Sequence, residues 1–160
     1  MVKMIVCIDK EGNIGKDNDL LFHMKEDMKF FKESTTNSIV VMGYNTWLSI
    51  GEKSLPNRKN IVLTDVPIGT VEISTNLEET IWKYEEENDI YIIGGAYVYN
   101  YALANNLIDE ILITIVPVVV EDADTRINME LIKDFNNKEI LKTFENNYGL
   151  EVTIEKWTKI

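Results

Sequence analysis

Asp27 stands in the stretch Leu20-Leu21-Phe22-His23-Met24-Lys25-Glu26-Asp27-Met28-Lys29-Phe30-Phe31, one carboxylate among large apolar side chains. At about 100° of turn per residue, a helix here puts Met24, Met28 and Phe31 on one face with Phe30 flanking it. Asp27 then projects between the two phenylalanines. Lys25, Glu26, Lys29, Lys32 and Glu33 point elsewhere, as a solvated face should. A carboxylate held against aromatic and thioether groups loses hydration, which favours its protonated form. The chemistry on offer is acid catalysis. An acid in a helix's first turn also complements the macrodipole, so the stretch alone allows both readings.

Four further features could do chemistry. Thr114 is the only polar side chain in the apolar run that follows Glu110; buried there, its hydroxyl needs a partner, either backbone or the stray carboxylate. Arg58 could hold a carboxylate by a bidentate pair, although an isolated arginine in a loop reads first as a solvated charge. Gly43, and the pair Gly94-Gly95, each follow an apolar strand and precede a helix, the junction that offers free N–H groups to a phosphate. The paired glycines are not the GxGxxG fingerprint, and they also suit a tight turn. Glu121-Asp122-Ala123-Asp124-Thr125 could bind a cation or cap another loop; its spacing is not that of an EF-hand, and no metal site is expected.

The elements that must position these groups alternate between strand and helix. Met1 to Ile8 reads as a buried strand with Cys7 in the core. Asp9 to Asp19, rich in Gly12, Asn13, Gly15 and Asn18, reads as a loop, either a lid or a plain connector. A helix is expected from Lys25 to Ser34, a strand over Ser38 to Met42, and a short helix over Tyr44 to Ile50. Strands are expected at Ile61 to Thr64 and Val71 to Ile73. A helix from Leu77 to Tyr84, capped by Thr75-Asn76, leads to the strand at Ile90 and the helix after Gly95. Glu110 to Val120 reads as a strand, and Ile140 to Phe144 with Leu150 to Trp157 as a hairpin around Asn146-Asn147-Tyr148-Gly149. The class is α/β.

A chain of 160 residues with 45% hydrophobic content predicts one domain. A net charge of -11 argues against nucleic acid or an anionic membrane as partner. Cys7 is the only cysteine, so no internal disulfide can form. No signal-peptide pattern or apolar run of ~20 residues is present, and a cytoplasmic protein is expected.

In order and spacing these landmarks resemble dihydrofolate reductase over essentially the whole chain. Ile14-Gly15, Asn18 and Leu20 resemble the family's mobile loop, and Glu26-Asp27-Met28 with Phe30-Phe31 its acid-bearing helix. Val41-Met42-Gly43, Thr46-Trp47 and Ser49-Ile50-Gly51 resemble the second strand and its helix. Leu55-Pro56-Asn57-Arg58-Lys59-Asn60-Ile61 resembles the substrate-carboxylate segment, and Ile92-Ile93-Gly94-Gly95 with Tyr99 the cofactor-phosphate turn. The resemblance implies a central, mostly parallel eight-stranded sheet with an antiparallel C-terminal hairpin and about four flanking helices. It also implies reduction of 7,8-dihydrofolate by hydride from NADPH, with NADH also possible, in a monomer that takes dihydrofolate and antifolate-type molecules.

Site roles follow from the same resemblance. Asp27 would bind the pterin 2-amino and N3 positions and favour protonation of N5, with Leu20, Phe22 and Thr114 beside it. Ile5, Met28, Phe31, Ile50, Leu55 and Ile93 would line the substrate pocket, and Arg58 would pair with the glutamate α-carboxylate. Cofactor contacts would come from Cys7, Ile14, Gly15, Asn18, Gly43, Tyr44, Asn45, Thr46, Leu63, Thr64, Asp65, Gly94, Gly95, Ala96, Tyr97, Val98 and Tyr99, with a cis peptide at Gly94-Gly95. Asp124 and Thr125 would latch the mobile loop.

The chain also departs from the family's pattern. Leu21-Phe22 replaces the usual Pro-Trp, which removes an indole N–H beside the pterin. Asn57 replaces a common Gly. Tyr44 and Tyr97 occupy positions usually basic, and Asp65 lies where a 2'-phosphate would, so weakened discrimination between NADPH and NADH is expected. The competing readings are a folate-binding, non-catalytic paralogue and a riboflavin-pathway pyrimidine reductase of the same fold class.

Overall fold

The apolar runs become the middle of one sheet. In a computed structural model, which describes all residues from Met1 to Ile160, strands and helices follow in the order β1 (Val2–Ile8), β2 (Asn13–Lys16), β3 (Asp19–Leu20), α1 (Lys25–Thr35), β4 (Ile39–Gly43), α2 (Tyr44–Ser49), β5 (Lys59–Leu63), β6 (Glu72–Ser74), α3 (Leu77–Tyr84), β7 (Ile90–Ile92), α4 (Ala96–Ala104), β8 (Glu110–Ile115), β9 (Thr125–Arg126), β10 (Asn137–Glu145) and β11 (Glu151–Thr158). Eight strands form the main sheet in the order β10-β11-β8-β1-β7-β4-β5-β6. Pairing is parallel from β8 to β6, whereas β11 runs antiparallel to both β8 and β10. This is the mostly parallel sheet with an antiparallel hairpin that the resemblance implies.

Strand alternation sorts side chains onto two faces even where the sequence is uniformly apolar. Met4, Val6 and Ile8 of β1, Ile111 and Ile113 of β8, and Ile90 and Ile92 of β7 pack with Val98, Tyr99 and Leu103 of α4. The opposite face carries Ile5, Leu112, Tyr91, Val40 and Met42, packed with Trp47, Phe30, Phe31, Ile50, Leu55 and Ile93. By the same alternation Cys7 and Thr114 belong to this second face, the one that α1 crosses. Cys7 is only partly buried there, beside Phe22, Met24 and Val116, so it borders the core rather than lying within it.

Two expectations need correction. The segment after β1 is not all loop: β2 pairs with β3 and β9 in a separate three-stranded sheet. The strand expected to run from Glu110 to Val120 stops at Ile115, because Pro117 supplies no donor to continue a ladder. The chain then turns back so that the Val120 N–H donates to Asp9 at 2.8 Å.

Candidate active site

Helix α1 sets three polar or aromatic side chains in a row. Asp27, Phe31 and Thr35 are each four residues apart, so they share one stripe. At the first of them, Thr114 Oγ1 donates to Asp27 Oδ1 at 2.5 Å. Thr114 is held in the register Cys7↔Thr114↔Ile154 between β1 and β11 and is 3% exposed. The partner of the lone hydroxyl in β8 is therefore the carboxylate and not backbone.

Burial raises the Asp27 pKa above the ordinary carboxylate value, and the Thr114 hydroxyl offsets part of that rise. Two weaker acids near it, Cys7 and Tyr99, are held neutral. Burial pushes up the Cys7 thiol, with Asp27 and Asp9 adding to the effect. Burial likewise raises the Tyr99 phenol, whose hydroxyl donates to Ile5 O at 2.7 Å. Asp27 is thus both a first-turn acid and a desolvated one.

Desolvation does not come from the face first expected to supply it. Met28 is 52% exposed, and Thr35 is the only buried residue of α1. Phe30 and Phe31 pack, partly buried, against the apolar face of the sheet while Met28 faces outward, and the sheet strand carrying Thr114 covers Asp27. Ile5, Phe31, Ile50, Leu55 and Ile93 are brought together in one apolar cluster, which Met28 does not join. Leu20 is half exposed, while Phe22 packs with Met24 and Cys7.

Arg58 closes the far end. Its Nη1 donates to Thr35 Oγ1 at 3.0 Å and its Nε to Pro56 O at 2.9 Å, and its guanidinium lies 5.9 Å from the centre of the Phe31 ring. Thr35 in turn donates to Phe31 O at 2.8 Å. No acid pairs with Arg58; both of its bonds go to neutral acceptors, which leaves the charge for a ligand. Asn57 sits at φ 60, the left-handed conformation that Asn tolerates where Gly is absent. Eight residues of helix at about 1.5 Å each separate Asp27 from Thr35, so acid and guanidinium anchor stand about 12 Å apart along α1.

The segment after β1 is tied to the acidic loop. Asp17 N donates to Asp124 Oδ2 at 2.9 Å, Asp124 N donates to Gly15 O at 3.0 Å, and Lys16 Nζ lies 2.5 Å from Asp122. Gly15 pairs with Thr125, and a Cβ at Gly15 would meet Thr125 Oγ1 at 2.7 Å, so only glycine allows this approach. Asn18 Nδ2 donates to Asn45 O at 3.1 Å, which couples the segment to α2. Ile14 packs beneath it against the core. No group of three or more His, Cys, Asp or Glu side chains is arranged to hold a metal ion.

Sequence reasoning missed Asp9, which anchors this assembly. Its carboxylate is 0% exposed and accepts from Glu11 N, Asn13 N, Asn13 Nδ2 and Val120 N, all at 2.8 to 3.0 Å. Burial alone would raise its pKa; these donors more than compensate, and the pKa is lowered. Asp-x-x-Gly-Asn directly after a strand is the available signal, as an Asx turn.

A second site lies where β4 and β7 end. Gly43 N donates to Gly94 O at 2.8 Å, bringing the amino ends of α2 and α4 together. The Gly94-Gly95 bond is cis. A Cβ on Gly43 would meet Val98 Cγ2 at 3.0 Å, and one on Gly94 would meet Thr46 Oγ1 at 3.2 Å. The result is a side-chain-free cradle floored by backbone, with the first-turn N–H groups of Ala96, Tyr97 and Val98 at its edge. Such a surface fits a diphosphate. Leu63, Thr64 and Asp65 follow along β5, where Gly43 pairs with Leu63. Tyr44 is partly buried, whereas Tyr97 is 80% exposed and stacks on Tyr101. Tyr99 lies deeper, within the core cluster.

Comparison with known proteins gives the chain its family. The family model for dihydrofolate reductase matches residues 1–158. The dihydrofolate reductase of Bacillus subtilis (strain 168) is 36% identical over 102 residues, which are 62% of this chain and 60% of that protein. The match thus spans less than two thirds of that relative. The type 9 dihydrofolate reductase of Escherichia coli is 30% identical over 157 residues, covering 91% of this chain and 86% of that one. Among solved structures, a dihydrofolate reductase from Enterococcus faecalis complexed with NADP(H) and RAB-propyl superimposes with a TM-score of 0.79 at 28% identity, covering 99% of this chain and 95% of the other. With the family model matched over nearly the whole chain, a relative covered to 86% of its length and the same fold in a solved reductase, the chain belongs to the dihydrofolate reductase family.

Proposed function

We propose that this protein reduces 7,8-dihydrofolate to tetrahydrofolate, with NADPH as the family's hydride donor. One observation carries the reading: a desolvated carboxylate and an unpaired guanidinium anchored about 12 Å apart along one helix face, with an apolar cleft between them. The substrate has the matching order of groups. Its pterin offers N–H donors, its aminobenzoyl ring is apolar, and its glutamate is anionic. Asp27 would accept from the 2-amino group and N3, and its raised pKa would favour a proton at N5. Bound at the glycine cradle, the cofactor would supply the hydride for C6 of the pterin. Phe31, Ile50 and Leu55 would exclude water along the ring system, and Arg58 would take the α-carboxylate in a charge-assisted pair. With a phenylalanine at position 22, no indole N–H stands beside Asp27, so the proton would pass through the carboxylate and solvent admitted at the half-exposed Leu20.

Dihydrofolate-dependent oxidation of NADPH tests the reading. Robust turnover is expected; tight folate binding with no oxidation would instead identify a non-catalytic binder, and turnover of a ribityl-pyrimidine alone the riboflavin-pathway reductase. Arg58→Gln is expected to raise KM for dihydrofolate about 10- to 100-fold, as loss of a charge-assisted pair implies, with kcat little altered. Unchanged KM would remove Arg58 from the substrate site.

A further inference from the structure

The unit β4-α2-β5 is a parallel strand-helix-strand with glycine at its first turn, and its second strand delivers Thr64 and Asp65 beside the amino end of α2. In such units an acid at the end of the second strand, about 20 residues past the glycine turn, accepts from ribose hydroxyls of a bound dinucleotide, while an arginine there accommodates a 2'-phosphate. Asp65 follows Gly43 by 22 residues (65 − 43). It is exposed at the strand's end. Thr64 is already committed, its N–H donating to Ser74 O and its hydroxyl accepting from Val66 N. No hydrogen bond or ion pair engages the Asp65 carboxylate.

The strand ends and helix turns on this side of the sheet supply no countercharge for an extra phosphate, and Lys16, on the segment bonded to α2, is paired with Asp122. Neither Lys nor Arg occurs between positions 60 and 82, or between 84 and 125, the stretches that supply the ends of β5, β6 and β7 and the first turns of α3 and α4. Helix α2 contains none either. What lines this rim is acidic or aromatic: Glu78 accepts from the Tyr101 hydroxyl at 2.8 Å, and Tyr101 stacks on Tyr97. Lys83 is spent on the Tyr84 ring, 5.0 Å away. In a chain of net charge -11, a 2'-phosphate carrying about two negative charges at neutral pH would sit against a carboxylate with no cation near it.

We propose that Asp65 reads the adenosine ribose as a diol, so that the site accepts NADH on at least equal terms with NADPH. This rests on the dinucleotide reading of the cradle. It goes further in assigning cofactor choice to one side chain, and to the absence of cations around it. The backbone N–H groups of α4 would bind the diphosphate common to both cofactors, and the aromatic rim would take adenine, so neither discriminates. Discrimination is left to the charge at Asp65.

Binding of each reduced dinucleotide to the full chain, followed by protein fluorescence at about 30 mM and about 300 mM salt, tests it. NADH should bind at least as tightly as NADPH at the lower salt, and the advantage should shrink as screening increases. Asp65→Ser should tighten NADPH about tenfold and weaken NADH about threefold or more, reversing the preference. An NADPH preference above about threefold at low salt, or one that grows as salt is removed, overturns the inference. If neither dinucleotide binds while dihydrofolate still does, the cradle reading itself has failed and this inference with it. Dihydrofolate binding reports the Asp27 cleft separately.

Discussion

Asp27→Asn lowers hydride transfer to dihydrofolate by about 100-fold or more near neutral pH, the range set by loss of a positioned acid. The deficit narrows as pH falls, because solvent then protonates the pterin without help. In the wild-type protein the rate declines as pH rises through the elevated Asp27 pKa. The same group has a stability consequence of fixed sign. Its pKa is higher folded than unfolded, so the fold favours the neutral form. The cost of burying the charged form is absent below the unfolded value of about 3.9 and grows as pH climbs through the folded one. Asparagine keeps an acceptor for Thr114 and carries no charge. The inactive variant should therefore melt at a higher temperature than wild type at neutral pH, and at nearly the same temperature in acid. Single-turnover kinetics and thermal denaturation across pH read both halves. Wild-type rates at neutral pH, or a lower melting temperature there, would sink the assignment.

Asp9→Ala is the largest stability change expected, about 3 kcal/mol or more, since four donors lose one buried acceptor. Here the sign with pH is reversed. The folded pKa is depressed, so the stabilisation is complete above the unfolded carboxylate value and is lost as pH falls through the folded one. Acid should destabilise wild type below about pH 4 and leave Asp9→Ala comparatively flat. Asp9→Asn should recover little, because its amide nitrogen would face Asn13 Nδ2 or the Val120 N–H. Denaturant unfolding at neutral and acid pH measures all three proteins. A loss under about 1 kcal/mol for the alanine variant would show that water replaces the carboxylate.

The two carboxylates also mark the boundary of what the residues disclose unaided. Thr114 is readable because one hydroxyl in an apolar strand demands a partner, and Asp27 is the acid with the same unmet need. Helix α3 has the expected bounds, Leu77–Tyr84, because the Asn76 side chain caps Glu79 N, and cap and period agree. Asp9 is only half legible: the Gly-Asn that follows announces a local turn, but the Val120 donor that completes its burial comes from far along the chain. Strands β2 and β3 are hidden for the same reason. They are four and two residues long with Asn, Gly and Asp among them, and the third strand of their sheet, Thr125–Arg126, arrives from far along the chain. The exposure of Met28 was illegible too, since helical periodicity marks an apolar face without saying whether protein or solvent lies against it.

The central place of β1 bears on how the molecule is made. Its first residues pair with Ile90 on one side and Glu110 on the other, so this strand is synthesised well before either of its neighbours. Loop-closure entropy must be met before either ladder forms, which places the fold among slow, high-contact-order topologies. During that interval Val2-Lys3-Met4-Ile5-Val6-Cys7-Ile8, an apolar β-forming segment with a single charge, is open to pairing with other nascent chains. Sheet assembly, and with it the junction of Thr114 and Asp27, waits on the synthesis of β8.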